Sequence, residues 1–476
     1  MRKLIFLQLN ELNFNYVQAY SELGYLPNFT RLFMEHGYQR TISESEHRLA
    51  NPWIQWPTVH TGLDYAEHGI FRLGDIVELD RSDIYQTLEE SGVSVAAISP
   101  FNASNRTRNS AFFVPDPWTP TRFNGSRDLR YIYEALVAVT RDYARGHIGL
   151  VAGMKLTAGA AANLNPSALP TYLKAVSAYI AGQKWWRAVI CDQLLTDVFI
   201  RHWQLSEPDF STLFLNGGAH LQHHYLFSSA AYQGERKNPE WHVAAGEDPL
   251  LDILKVYDTA IGRFMRLAEG NRLIIATGLH QEPHERPTMY YRLTDPASFL
   301  KEIGVGFDEL LPLMTEDFVL KYADDDAAAR AKSKLLSARS IDVPDIFYLE
   351  TGDSPVRTLR TAPEIFHVEN RGNTLYVQLK PTSELLRPDT RVSCGNTVVE
   401  NFADLVALAQ VKNTHHEGTG YYTDTDYLSG ELPESFPLRN IFDIILHHFA
   451  TEPLAPDARK LPAWLKGPAS ARHEMA

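Results

Sequence analysis

The residues in this sequence best suited to chemistry are histidines that follow short apolar runs. His220, His223 and His224 follow DFSTLFL and the turn Asn216-Gly217-Gly218-Ala219, His280 follows the run Leu273 to Ala276, and His415 and His416 lie in NTHHEGTGYY. Imidazole binds transition metals such as zinc and titrates near physiological pH. In open α/β sheets the functional crevice lies beyond the carboxyl ends of the strands, so these clusters can converge although they are distant in sequence. His220 and His224 are four apart, which puts both on one helical face as a possible metal clamp. The plainer reading is that QHHYLF packs its rings in a core.

A second group lies in NPWIQWPTVHTGLDYAEHGI, residues 51–70. Pro52 and Pro57 argue against a clean strand or helix there. Gln55, Thr58, His60 and Thr61, framed by Trp53 and Trp56, suit a loop that lines a ligand. The structural alternative is an irregular buried loop whose polar groups are satisfied internally.

The elements that would position these residues alternate. Leu4 to Leu9 is an apolar run bounded by polar residues, the pattern of a strand buried on both faces. LPNFTRLFMEHG carries apolar residues at helical spacing after Pro27, with Gly37 as its stop. In SDIYQTLEESGVSVAAISP a helix opens at Ser82 or Asp83 and ends at Gly92, and a strand runs from Val93 to Ile98. PLLDILKVYDTAIGRFMRLAEG has the i, i+4, i+7 rhythm of an amphipathic helix before the strand Leu273 to Ala276. Such alternation implies an α/β fold with a parallel sheet. The domain reading is core α/β over 1–126, a helical insert or cap over 127–205, core again over 206–300, an inserted α+β lobe over 301–410, a return to the core over 411–450 and a loosely ordered tail over 451–476.

Composition narrows the partners. The 476 residues hold 45 Lys plus Arg against 58 Asp plus Glu, a net charge of −13, so no broad basic face for nucleic acid is expected. Apolar residues are 44% and charged residues 22%, as in a globular protein. No run approaches the roughly 20 apolar residues of a membrane helix, and no membrane partner is expected. The two cysteines, Cys191 and Cys394, have neither disulfide-framework nor zinc-knuckle spacing, and MRKLIFLQLNELN lacks a secretory pattern, so a cytoplasmic location is expected.

The order of these motifs resembles the alkaline phosphatase superfamily, particularly its type I phosphodiesterase and nucleotide pyrophosphatase branch. LPNFTRL is similar to the family's LPNL-type helix, and WPTVHTGLDYAEHGI to its nucleophile helix with TG and HGI signatures. The resemblance implies an α/β fold with a mostly parallel sheet sandwiched by helices. The family's metal-binding acids fall on Asn10, Asn216 and Leu279, all neutral here, while its histidines fall on His220, His280 and His416. Glu11 follows Asn10 and offers one replacement acid. The family's Thr or Ser nucleophile position offers only Asn51, Pro52 and Trp53, and Thr58 is the nearest hydroxyl, out of register.

Losing three carboxylates removes the charge compensation that two divalent cations need. The resemblance therefore implies one ion, zinc or else manganese or iron, held by His220, His280, His416 and Glu11, with water as the nucleophile. His60 or His223 would serve as general acid or base, and Asn10, Gln55, Trp56 and Asn216 would bind a small anionic substrate. The expected activity is hydrolysis or transfer of a phosphoester, diester or monoester, or of a sulfate ester. The alternative is a catalytically degenerate ligand-binding or scaffold descendant.

Overall fold

The computed structural model describes residues 2–44, 46–141, 150–313, 317–341, 346–351, 354–359, 364–380 and 389–451. The expected loose tail lies outside them from residue 452 onward. The chain divides into two compact units, residues 1–138, 148–283 and 414–476 in one, and 139–147 with 284–413 in the other.

The first unit is built on an eight-stranded sheet. In chain order its strands are β1 (Leu4–Leu9), β2 (Gln39–Ile42), β3 (Val95–Ile98), β4 (Phe112–Val114), β5 (Phe210–Leu215), β6 (Arg272–Ala276), β7 (Thr419–Asp424) and β8 (Ser435–Pro437). Across the sheet they lie in the order β8-β2-β7-β6-β1-β5-β3-β4. β1 pairs in parallel with β5 and β6, β3 in parallel with β4 and β5, and β8 in parallel with β2. Only β7 is reversed, antiparallel to β2 and β6. The carboxyl ends of β1, β5 and β6 and the amino end of β7 therefore share one edge.

Every residue of β1, β5 and β6 is buried, as strands covered on both faces must be. The main helices are α1 (Phe14–Glu22), α2 (Pro27–His36), α3 (Pro52–Thr61), α4 (Ile84–Glu90), α5 (Trp186–Ser206), α6 (Gly217–Tyr225), α7 (Pro249–Leu267) and α8 (Asn440–His448). Alternate residues of β1 belong to different cores. Ile5, Leu7 and Leu9 pack with α1, α2, α5 and α7, whereas Leu4 and Phe6 pack with α3, α4 and α8. Each such fully buried side chain contributes about 1.5–3 kcal/mol. The mostly parallel sheet sandwiched by helices is thus observed, and residues 127–205 carry the helices Arg127–Arg141, Leu150–Asn163, Leu169–Ile180 and α5.

Local signals explain several boundaries. Asp83 caps α4 by accepting from the Gln86 N–H, and Asp248 caps α7 through the Leu251 N–H. α2 has Pro27 in its first turn and no cap of its own. The Asp258 carboxylate of α7 replaces it, accepting from the N–H groups of Asn28 and Phe29 at 2.8 and 2.9 Å. One expectation is corrected: residues 52–61 form helix α3, not a loop. Pro52 stands in the first turn, where no N–H is needed. Pro57 lacks the N–H that would reach the Trp53 carbonyl, and Asn102 Nδ2 donates to that carbonyl instead, at 2.7 Å.

The second unit has its own core, including Phe299, Leu300, Phe318, Leu335, Phe366 and Val377. Its four-stranded antiparallel sheet runs Phe366–Asn370, Thr374–Leu379, Asp317–Lys321, Glu309–Pro312, with the helix Asp325–Leu336 capped by Asp324. No helix among the described residues is long and apolar enough to cross a membrane.

Candidate metal centre

Glu11 stands two residues beyond β1 with φ +55°, an uncommon conformation for a residue with a side chain. Its backbone is held on both sides: the N–H donates to the Thr277 carbonyl at 3.0 Å, and the carbonyl accepts from Gln222 Nε2 at 2.9 Å. The turn aims the carboxylate across the edge of the sheet. His223 reaches the same place from α6, which starts directly after β5. Two glycines make that sharp strand-to-helix turn possible, because a Cβ on Gly217 would lie 2.7 Å from Asp192 Oδ2 and one on Gly218 would lie 2.9 Å from the Tyr257 ring. His416 arrives just before β7, the reversed strand.

Glu11 Oε2 lies 3.0 Å from His223 Nε2 and 3.0 Å from His416 Nε2, and the two Nε2 atoms are 3.1 Å apart. Among the described residues these three form a group able to hold a metal ion. Their spacing is close to the edge of about 3.3 Å that tetrahedral coordination at about 2.0–2.1 Å requires.

The surrounding hydrogen bonds decide which ring nitrogens carry protons. Gln281 Nε2 donates to Glu11 Oε2 at 2.5 Å and to the Ala219 carbonyl, so Gln281 Oε1 faces Thr414 and accepts its hydroxyl at 2.7 Å. The Thr414 oxygen is then left to accept from His223 Nδ1, 2.9 Å away. Asn51 gives its amide nitrogen to the Arg48 carbonyl, so its oxygen accepts from His416 Nδ1 at 3.1 Å. Both imidazoles thus hold a proton on Nδ1, which leaves the Nε2 of each, facing Glu11, as the atom that carries a lone pair in the neutral ring. Three electron-pair donors facing one point repel unless a cation or a shared proton lies between them.

Burial opposes the charge on Glu11, and the positive charge and Nε2–H bonds that His416 and His223 supply when protonated outweigh it and hold the carboxyl well below the usual carboxylate range. Asn10 steadies the other oxygen. Its Oδ1 accepts from the Trp56 indole N–H at 2.8 Å, which turns its Nδ2 toward Glu11 Oε1 at 2.9 Å and Asn216 Oδ1 at 2.8 Å.

The expected residues divide accordingly. Glu11, His223 and His416 converge, with Asn10, Trp56 and Asn216 bonded around them. His280 lies outside the group: Nδ1 meets the Thr419 carbonyl at 2.5 Å and Nε2 meets Glu282 at 2.9 Å. His220 packs its ring against His224, centroids 4.6 Å apart, and burial with Arg187 and His223 lowers its pKa to about 4. The shared helical face of His220 and His224 is therefore real, with the rings in contact.

Three further expectations meet burial. His60 is 1% exposed and bonded to Gln8, and burial lowers its pKa to about 3, so it does not titrate near neutrality as a general acid or base would need to. The Thr58 hydroxyl is buried against the Ile54 carbonyl and His68, and Gln55 donates to the Leu49 carbonyl. The orienting residues Thr414, Gln281 and Asn51 were not singled out from the sequence for these parts. The only signal was their nearness to His416, His280 and the Trp-Pro segment.

No family model matches the chain, and no curated protein matches it. Among solved structures it is similar to phosphonoacetate hydrolase from Sinorhizobium meliloti 1021 bound to phosphonoacetate, at 11% identity over 93% of this chain and 94% of that one, with a TM-score of 0.42. It is also similar to murine ectonucleotide pyrophosphatase/phosphodiesterase 5, at 9% identity over 98% of each chain with a TM-score of 0.39. A variant of alkaline phosphatase PafA gives 11% identity over 94% and 96% with a TM-score of 0.44. The geometry of the Glu11 group stands independently of them.

Proposed function

We propose that this chain is a hydrolase or transferase of phosphoesters, with sulfate esters as the related class, that works with one divalent transition-metal ion held by Glu11, His223 and His416. The observation that carries the reading is the convergence of one carboxylate oxygen and two Nε2 atoms at 3.0–3.1 Å, with both Nδ1 atoms engaged elsewhere. Two imidazoles and a carboxylate form a donor set that suits zinc and leaves coordination positions open. A bound divalent cation supplies Lewis acidity and lowers the pKa of a coordinated water toward neutrality.

The chain's own residues do the rest. Thr414 and Asn51 fix the imidazole tautomers, and Gln281 and Asn10 hold the carboxylate. The amide of Asn10 is used up in that task, which leaves Asn216 as the residue to meet a substrate oxygen. Asn216 Oδ1 is occupied by Asn10, so its Nδ2 is the donor it can offer. The substrate is a small anion, and the free thiols of Cys191 and Cys394 accord with a cytoplasmic setting.

The test is elemental analysis of untagged protein purified without chelator, beside Glu11→Gln and His416→Ala. One equivalent of zinc, manganese or iron, lost in both variants together with hydrolysis of p-nitrophenyl phosphate, bis-p-nitrophenyl phosphate or p-nitrophenyl sulfate, is the expected result. No metal after reconstitution with zinc or manganese overturns it. That outcome would favour the second reading, a ligand-binding descendant, for which the supporting observation is the fully buried Leu279 at the position of a family acid.

A further inference from the structure

We propose that the first unit carries a second binding site, for a small phosphorylated molecule, at the opposite edge of the sheet from Glu11. α5 leads into β5 and α7 leads into β6, so the last turns of both helices stand where the parallel strands begin. Glu11 and Asn216 stand where β1 and β5 end. Between those last helical turns and residues 163–165 is a cleft of about 480 Å³, a volume suited to a metabolite.

The charges in the cleft are unbalanced. Asp197 is buried and already satisfied: Arg263 is ion-paired with it, Tyr172 donates its hydroxyl at 2.8 Å, and the Asn165 N–H donates at 3.3 Å. Arg201 and Arg266, both exposed, line the same cleft, and neither is ion-paired with a carboxylate among the described residues, although Arg266 also borders a neighbouring cleft with Glu35 and Glu269. In a chain with a net charge of −13, two guanidinium groups without an ion-pair partner at one cleft favour an anion there. Their planar forks match the oxygens of a phosphoryl group.

A neutral feature completes the specificity. Asn163 is 3% exposed and lines the cleft, and its Nδ2 donates to Asp128 and to the Gly159 carbonyl at 2.8 Å each. Its Oδ1 is buried with no partner, a costly state for an acceptor. A ligand with a hydroxyl or amine beside its phosphoryl group would supply the donor that this oxygen lacks once the Asn163 amide turns into the cleft.

The test is calorimetric titration of the full chain, stripped of metal with chelator so that the Glu11 centre binds no phosphate, with inorganic phosphate and with glycerol 3-phosphate, on the wild type, Arg266→Gln, Arg201→Ala/Arg266→Ala and His416→Ala. Glycerol 3-phosphate is expected to bind more tightly than phosphate. Arg266→Gln should weaken it roughly tenfold and the double variant further, whereas His416→Ala should retain it because the candidate metal centre is elsewhere. The single variant keeps the test decisive if circular dichroism shows the double variant to be misfolded. Binding that survives Arg266→Gln unchanged, that disappears in His416→Ala, or that is absent from the wild type at millimolar ligand overturns the proposal.

Discussion

Thr414 performs two tasks with one hydroxyl. It donates to Gln281, which holds Glu11, and it accepts from His223 Nδ1, which fixes that ring's tautomer. Replacing it with valine keeps the shape and removes both bonds. Thr414→Val is expected to weaken metal affinity about 10- to 100-fold while the protein stays folded, as read by competition with a chromophoric chelator. Unchanged affinity would defeat the tautomer argument. Asn51→Ala tests the same logic from the His416 side and is expected to move affinity in the same direction. At this scale the sequence identified Glu11, His223 and His416 as candidates but not their grouping, because side-chain convergence depends on strand order and the direction of β7.

At the scale of elements, α3 shows how a tertiary donor overrides a local rule. The two prolines argue against a helix, and in isolation that argument is sound. Asn102 reverses it by capping the carbonyl that Pro57 leaves open, while its own Oδ1 accepts from the Gly74 N–H at 2.8 Å. Asn102 also occupies the left-handed region, φ +47°, where asparagine is better tolerated than alanine. Asn102→Ala is therefore expected to lower stability by about 1–3 kcal/mol, measured by urea unfolding, with metal content unchanged. A variant as stable as wild type would show that α3 does not need this bond. Several other elements, among them β1, α2, α4 and α7, were legible because their signals are local, whereas β2, β4, β7 and β8 were not read. Asp83, Pro249 and Gly37 mark helix ends, and β1 is an apolar run of the right length for a buried strand.

Over the whole molecule, burial of neutral histidine sets the response to acid. Burial lowers the pKa of His60 to about 3 and that of His68 to about 4. In the unfolded chain both take a proton near pH 6.5. The unfolded state therefore binds more protons below that pH, and stability present above about pH 6.5 is lost as pH falls toward the folded-state values. Each histidine contributes a slope of up to about 1.4 kcal/mol per pH unit. Urea unfolding at pH 7 and pH 5 is expected to show the loss, and His60→Gln, which preserves a polar partner for Gln8, should flatten it by one histidine's share. An identical pH dependence in the variant would mean that other groups dominate.

The alternation of strands and helices, the buried character of β1, β5 and β6 and the accumulation of histidines beyond strand ends were all determined by the sequence alone. They follow from apolar spacing, cap residues and turn residues within a few positions of one another. Tertiary structure decided the rest. His223 and His416 meet at Glu11 because β7 runs against its neighbours and brings the segment before it to the carboxyl edge of β1 and β5. His60, a plausible acid or base by type, is placed in the core because α3 is buried on all sides from Ile54 to Thr61. The physical reason is range: helical and strand periodicity is felt over a few residues, whereas the lone pairs of Glu11, His223 and His416 are oriented by partners hundreds of positions away.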